Sequence, residues 1–227
     1  MSETPTERLR PSPAEENYLK EIFKYSESGT SVSTSKLSKA LKTTPASVTD
    51  MIKKMSEKGL LDYRPYHGVK LTNAGQQLAV DVIRKRRLWE TFLVQHLNFK
   101  WDQVHEIAEQ LEHVHSEELI SRLDTYLEHP RIDPHGDPIP DAEGNFLPRN
   151  TKKLTELDAP ERVEIAGVAM HTPEFLRYLD RLGLAIGTQL EVAEHIPFDN
   201  SILVRTSGRE IILNESVANH LLVVALG

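Results

Sequence analysis

The chain has 227 residues, of which 39% are hydrophobic and 27% are charged, and it contains no cysteine. This length is typical of two or three small domains in an ordinary folded protein. The lack of cysteine excludes disulfides, thiolate metal ligands and cysteine nucleophiles, so any metal must be held by nitrogen and oxygen. No apolar run approaches the ~20 residues that cross a membrane. The polar N-terminus lacks the apolar core of a secretion signal, so we expect a cytoplasmic protein with no membrane partner.

The net charge of −7 is distributed unevenly along the chain. Residues 33–88 contain twelve Lys and Arg against four acidic residues, so this segment carries +8 and the rest of the chain carries −15. A basic segment within an acidic protein is typical of a surface that binds a polyanion such as DNA. Charge alone leaves open the alternative of a solvated lysine-rich face.

Residues 1–75 predict a winged helix-turn-helix domain. Ser12 is a suitable N-cap for its first helix, and Thr44 is one for its third, where Pro45 takes the first helical position. Gly59 is suited to end that third helix. Periodicity and chain breakers predict helices over 13–26, 34–41 and 45–58, then strands over 60–64 and 69–71, which form the wing.

In this motif the second helix enters the major groove, while the wing lies near the phosphates. The short side chains at the start of the 45–58 helix suit thymine methyls and phosphates better than bidentate reading of guanine. The predicted DNA-contacting residues are Thr34, Thr44, Pro45, Ala46, Ser47, Thr49, Asp50, Lys53, Arg64, His67 and Lys70. The alternative is a winged helix used only for protein packing.

Two further domains are predicted, over residues 76–150 and 151–227. The first is helical, with helices over 74–96 and 102–129, the second of them capped by Asp102. Residues 131–148 are rich in Pro and Gly and predict a rigid loop. The last domain predicts a small barrel, with strands over 162–166, 189–194, 201–205, 210–213 and 221–226 and one helix over 172–182.

A candidate metal site lies in the predicted 102–129 helix. His105, Glu109, Glu112 and His113 stand at offsets 0, 4, 7 and 8 and therefore share one helical face. Two carboxylates there would repel each other without a cation, so spacing leaves open either a metal site or a solvated acidic stripe. The His-Glu-x-x-His motif of zinc proteases fails because position 109 is Glu, and no phosphate loop or Ser/His/Asp signature is present, so we do not expect an enzyme.

Arg86 and Glu90 lie one turn apart on the preceding predicted helix. The spacing fits an ordinary i,i+4 salt bridge. It equally fits a second metal site, in which Glu90 faces His105.

Four stretches carry a family resemblance, and together they extend over nearly the whole chain. They are residues 15–22, 83–90, 104–113 and the Asp-Pro-His-Gly-Asp-Pro-Ile-Pro segment at 133–140. Through them the chain resembles the diphtheria-toxin-repressor (DtxR/MntR-type) metal-dependent regulators. The resemblance implies a mainly α fold with a small β domain: a winged helix, a helical dimerisation domain and a C-terminal SH3-like (FeoA-type) barrel.

The resemblance also implies two metal sites. The primary site falls on Glu109, Glu112 and His113, with a further ligand from Asn17 on the first helix. The second site falls on Glu90 and His105, joined by the barrel residues His171 and Glu174. Two positions depart from the family pattern: position 17 is Asn where members usually carry Met or Asp, and position 86 is Arg where many members carry a histidine ligand. Arg86 cannot bind metal, so the second site is expected to be altered.

The residue at position 109 bears on the choice of metal. The resemblance places Cys there in iron-responsive members, whereas a carboxylate is a harder ligand that favours Mn(II). We therefore predict a manganese-responsive, metal-activated repressor of metal-ion homeostasis genes that binds palindromic double-stranded operator DNA as a homodimer. The alternatives are an iron-responsive regulator of the same family, and a metal-independent winged-helix protein. Fe(II) is the alternative cofactor, and other divalent ions can compete in vitro.

Overall fold

The structure, a computed structural model, describes residues 11–26, 30–65 and 67–226, which form two compact units. The first unit contains the described residues up to Arg86 together with Glu112–His115 and Pro140–Asn145. The second contains Arg87–Leu111, Ser116–Ile139 and the described residues from Phe146 onward. Within the described ranges, no helix is long and apolar enough to cross a membrane.

The first unit contains the predicted helix-turn-helix and wing. Its elements are α1 (Pro13–Tyr25), α2 (Thr34–Ala40), α3 (Pro45–Glu57), β1 (Leu61–Arg64), β2 (Gly68–Leu71) and the first part of α4 (Asn73–Leu97). The two N-caps predicted for this unit, Ser12 and Thr44, are confirmed. The Ser12 hydroxyl accepts from the backbone N–H of Glu15, whose carboxylate accepts from the N–H of Ser12, and Thr44 caps α3. These local hydrogen bonds satisfy N–H groups that the first helical turn leaves without partners.

One apolar core holds α1, α3 and the wing together. Leu19 and Ile22 of α1 are fully buried against Ile52 and Met55 of α3 and Val69 of β2. β1 and β2 pair antiparallel, with Leu61 opposite Leu71 and Arg64 opposite Gly68. This packing leaves the outer face of α3 and the outer face of the wing exposed to solvent.

The predicted long helix over 102–129 is wrong. The chain forms α5 (His105–Leu111) and α6 (Glu117–Tyr126), and Asp102 caps neither helix. Ser116 starts α6 by accepting a hydrogen bond from the N–H of Leu119, and acidic residues occupy the first turn of that helix, which are start signals present in the sequence. The shared helical face is wrong for the same reason, because Glu112 and His113 lie beyond the end of α5.

The second unit contains the small β domain. Its strands are β3 (Lys152–Lys153), β4 (Glu161–Val168), β5 (Gln189–Ile196), β6 (Ser201–Thr206), β7 (Arg209–Leu213) and β8 (Leu221–Ala225), with helices α7 (Pro173–Leu182) and α8 (Glu215–Ala218). They form an antiparallel sheet in the order β3-β8-β4-β5-β6-β7. The five predicted strands are confirmed, whereas β3 and α8 were missed because two and four residues carry no readable periodicity.

Residues 131–149 contain no helix and no strand, as their Pro and Gly content predicts, apart from one isolated bridge between Ile132 and Pro138. The loop requires glycine at position 136. Its φ is +84°, and a Cβ there would lie 2.2 Å from the carbonyl oxygen of Ala166 and 2.4 Å from the Cα of Gly167. The loop therefore lies backbone to backbone against β4, and only glycine fits this approach.

Candidate metal centres and DNA interface

A cluster of charged residues is buried in the first unit, where α1 faces the segment Glu112–His115. Glu16 and Lys20 lie one helical turn apart on α1, so their side chains share one face. Both are buried, which is unusual for charged residues unless they are paired. Their partners come from the four residues that leave the helical path after α5.

The ion pairs of this cluster are close. Lys20 Nζ donates to Glu112 Oε1 at 2.5 Å, and the Glu112 side chain is 0% exposed. The His113 Nδ1 atom contacts Glu16 Oε2, and the His113 Nε2 atom lies 3.7 Å from Glu112 Oε1. His115 Nε2 lies 3.7 Å from Glu16 Oε1. A carboxylate can only accept, so Nδ1 of His113 carries a proton, and Nε2 is the nitrogen of this ring that could bind a metal.

Two buried oxygen atoms, one on Asn17 of α1 and one on Glu112, lack a hydrogen-bond donor. Among the described residues, nothing donates to Asn17 Oδ1 or to Glu112 Oε2. Leaving a buried carboxylate oxygen unsatisfied is costly, and such an atom calls for a cation or a donor. Burial raises the pKa of Glu112, while the charges of Lys20, Arg86 and His113 oppose that rise. Two oxygens and an imidazole nitrogen are donors that suit a divalent transition metal.

The other predicted primary ligand, Glu109, lies on α5 in the second unit. It is half-buried there. Glu112 and His113 belong to the first unit.

A second cluster lies within the second unit. Glu90 of α4 and the loop residues Asp133 and His135 are all buried, and their ligand atoms lie within 4.8 Å of one another. Glu90 Oε2 is 3.8 Å from His135 Nδ1, and Glu90 Oε1 is 3.7 Å from His105 Nδ1. Burial and the nearby charges of Asp137 and Glu90 raise the pKa of Asp133 well above its usual range. Buried carboxylates next to imidazoles are the ligand types that typically bind a divalent cation.

The loop itself orients these ligands. Asp133 Oδ1 accepts from the backbone N–H groups of His135, at 2.8 Å, and Asp137, at 2.9 Å. The Nε2 atom of His135 lies 2.9 Å from the carbonyl oxygen of Trp101. A carbonyl can only accept, so Nε2 carries the proton and the Nδ1 lone pair points to the cluster.

The two barrel residues predicted for the second site differ in their placement. His171 Nε2 lies 3.6 Å from Asp137 Oδ2, and its ring is 4.9 Å from that of His135. Burial lowers the pKa of His171 to about 4, although the charge of Asp137 opposes this shift. Glu174 is 77% exposed on α7 and pairs with Arg177 instead.

Sequence reasoning missed Asp133, His135 and Glu16 as candidate site residues. The alternation of Asp and His in the 133–137 segment was a usable signal, because short-range turns bring such side chains together. Glu16 carried no comparable signal, since its role depends on a partner 97 residues away.

The predicted DNA-contacting residues lie on accessible surfaces of the first unit. On α3 and its cap the exposed residues are Thr44, Pro45, Ala46, Ser47, Asp50 and Lys53, while Thr34 and Thr49 are half-buried. In the wing, Arg64, His67 and Lys70 are exposed and line one side of a shallow cleft. The two surfaces together present short polar groups and cations, as a DNA interface requires.

α1 also contacts α3 and Lys58, the residue that follows it. The buried carboxylate of Glu15 accepts from Lys58 Nζ at 2.7 and 2.9 Å, and Lys54 Nζ of α3 lies 3.3 Å from it. Adjacent residues of α1 therefore reach in two directions: Glu15 to the end of α3, and Glu16 to His113.

Comparison with known proteins matches three family descriptions. Residues 12–69 match the N-terminal DNA-binding domain of iron-dependent repressors, residues 72–141 match their metal-binding and dimerisation domain, and residues 152–225 match the FeoA domain. The iron-dependent repressor IdeR of Mycobacterium tuberculosis is 31% identical over 176 residues, which cover 74% of this chain and 76% of that protein. The diphtheria toxin repressor of Corynebacterium diphtheriae is 26% identical over 215 residues, which cover 90% of this chain and 93% of that protein.

Solved structures are also similar. A manganese-dependent transcriptional repressor in complex with manganese superposes with a TM-score of 0.84 at 34% identity, covering 93% of this chain and 100% of the other. ScaR with bound Zn²⁺ gives a TM-score of 0.77 at 32% identity, covering 95% of this chain and 100% of the other. Iron, manganese and zinc thus all appear among the similar proteins.

Proposed function

Because the chain belongs to the family of iron-dependent repressors, and is thus a metal-dependent transcriptional repressor and not an enzyme, we propose that its activating metal is manganese. The family provides the DNA-binding and dimerisation domains. The donor atoms available are carboxylate, amide and imidazole, with no thiolate, and hard oxygen ligands favour Mn(II) over softer ions. Fe(II) is the alternative, and the iron-dependent relatives favour it.

We assign the primary metal site to Asn17, Glu112 and His113. Glu109, which precedes Glu112 by three residues, is the further ligand that the resemblance implies. The observation that carries this proposal is the pair of buried oxygens, Asn17 Oδ1 and Glu112 Oε2, to which no described residue donates. Bound metal would satisfy both. Glu16 would act from behind the site by orienting the His113 ring.

We assign the second site to Glu90 and His105, and we add Asp133 and His135 to it. His171 stands beside this cluster, so it remains a candidate ligand. The exposure of Glu174 and its pairing with Arg177 argue against it in this arrangement. A divalent cation there would offset the repulsion between the buried carboxylates of Glu90 and Asp133.

The proposed mechanism links metal to DNA through α1. A metal bound by Asn17 and Glu112 would fix α1, and Glu15 would hold the end of α3 through Lys58. The protein would act as a homodimer, in which fixed α3 helices match the half-site spacing of a palindromic operator. We also propose that the chain is organised as three domains, over residues 1–75, 76–150 and 151–227.

The test of this function is fluorescence anisotropy of operator-like duplex DNA with Mn(II), with Fe(II) under anaerobic conditions, and with a chelator. We expect Mn(II) to tighten binding and the chelator to reverse the effect. Fe(II) acting at a lower free concentration than Mn(II) would identify an iron sensor instead. DNA binding that ignores both metals would identify a metal-independent winged-helix protein.

The wing is expected to contact phosphates. We expect Arg64→Ala and Lys70→Ala each to weaken binding to every duplex sequence and to lower the slope of log affinity against log salt by ~1. The matched control is Arg162→Ala, which removes an exposed arginine from β4. The measurement is anisotropy across a salt series with specific and non-specific duplexes. Unchanged slopes in the wing variants would remove the wing from the interface.

A further inference from the structure

We propose that the ammonium group of Lys20 is an internal cation of the Glu112 site, so that a divalent metal binds against its charge and Lys20 sets the metal concentration at which the repressor responds. This inference rests on the proposed metal site. It concerns the affinity of that site and not its existence.

The first support is geometric. The ammonium of Lys20 lies 2.5 Å from Glu112 Oε1, and the two side chains are 9% and 0% exposed. The other oxygen of the same carboxylate, Oε2, is buried and accepts nothing from the described residues. One oxygen of Glu112 is thus paired with a cation of the protein, while the other has no donor among the described residues.

The second support is the charge of the surroundings. Around Glu112 the cluster contains the carboxylate of Glu16, the imidazoles of His113 and His115, and the positive charges of Lys20 and Arg86. Lys20 comes from α1 and Arg86 from α4, so cations approach the carboxylates from two elements. A site with two built-in cations offers a divalent ion less net attraction than its carboxylates alone would provide.

Two effects of Lys20 on a bound metal oppose each other. Its hydrogen bond orients Glu112, which favours binding, but one hydrogen bond contributes only modestly. Its charge would repel a divalent ion held by the other oxygen of the same carboxylate, and because the site is buried, solvent would screen this repulsion little. We infer that repulsion dominates, so Lys20 weakens metal binding.

The experiment compares Mn(II) affinity in the full-length wild type, Lys20→Met and Lys20→Arg, measured by competition with a metallochromic chelator. Met keeps the length of the side chain without its charge, whereas Arg keeps the charge. We expect Lys20→Met to bind Mn(II) at least ~10-fold more tightly and Lys20→Arg to stay within ~3-fold of the wild type. The Mn(II) concentration for half-maximal DNA binding should fall in parallel in Lys20→Met.

Unchanged or weaker Mn(II) binding in Lys20→Met would overturn the inference and make Lys20 an orienting residue. If Lys20→Met does not fold, as judged by circular dichroism, Lys20→Gln provides the same comparison because it keeps a donor without the charge. The wild type separates this inference from the proposed function. A wild type that binds no Mn(II) contradicts the proposed function, whereas a wild type that binds it with no gain in Lys20→Met contradicts only the role of Lys20.

Discussion

Replacing Glu112 by glutamine is expected to reduce Mn(II) affinity about 100-fold and to abolish metal-dependent binding to operator DNA. The amide removes the negative charge from a side chain that is 0% exposed and whose Oε2 atom accepts no hydrogen bond from the described residues. It also leaves the ammonium of Lys20 buried without this carboxylate, which destabilises the first unit. The measurements are chelator competition for the metal and anisotropy for the DNA.

Two controls separate loss of the ligand from loss of the fold. Glu106→Gln makes the same change at an exposed position of α5 and should leave metal affinity unaltered. The double variant Lys20→Met/Glu112→Gln also removes the buried ammonium that Glu112 pairs with in the wild type, so it should recover thermal stability but not metal binding. Wild-type metal affinity in Glu112→Gln would contradict the assignment of the primary site.

Gly136→Ala is expected to destabilise the second unit by about 3 kcal/mol and to remove one equivalent of bound metal per chain. The added Cβ would lie 2.2 Å from the carbonyl oxygen of Ala166, which is backbone and cannot rotate away. The loop must therefore shift, and Asp133 and His135 would move away from Glu90. The measurements are thermal unfolding followed by circular dichroism and metal stoichiometry after dialysis.

The matched control for this prediction is Gly144→Ala. Gly144 has nearly the same φ, +85°, but its added Cβ would meet only a side-chain methyl of Val80, at 3.3 Å. The Gly144→Ala variant should therefore lose only the ~1 kcal/mol that an alanine in the left-handed region costs, because its Cβ does not collide with the backbone. If both variants lose the same stability, the close approach between Gly136 and β4 does not hold that loop in place.

The fold of the DNA-binding unit could be predicted from the sequence because its signals are local. Ser12 with Glu15, and Thr44 with Pro45, act within one turn of the helix they start, and alternation in 60–71 predicts the wing. Such patterns need no knowledge of distant residues. The predicted helix over 102–129 was wrong although Ser116 and the acidic residues after it mark the start of a new helix. Side-chain pairs with α1 accompany its interruption, and those partners lie more than 90 residues away.

The composition of the metal site followed from the sequence in the same limited way. The absence of cysteine restricts the site to oxygen and nitrogen, and the residues 109, 112 and 113 stand out by type. Only the tertiary structure shows which of these atoms already take part in an ion pair or a hydrogen bond. That Glu112 shares its carboxylate with Lys20, that Glu16 orients His113, and that Asp133 and His135 meet Glu90 all depend on how distant segments pack.

The sequence by itself thus determined the helix-turn-helix and its wing, the family resemblance and the types of ligand atom available, because caps, periodicity and residue type depend on neighbouring positions. Only the tertiary structure decided which buried charges face one another. The physical reason is that a charged side chain can be buried only beside a partner. For Lys20 and Glu112 that partner is supplied by folding across 92 residues of chain.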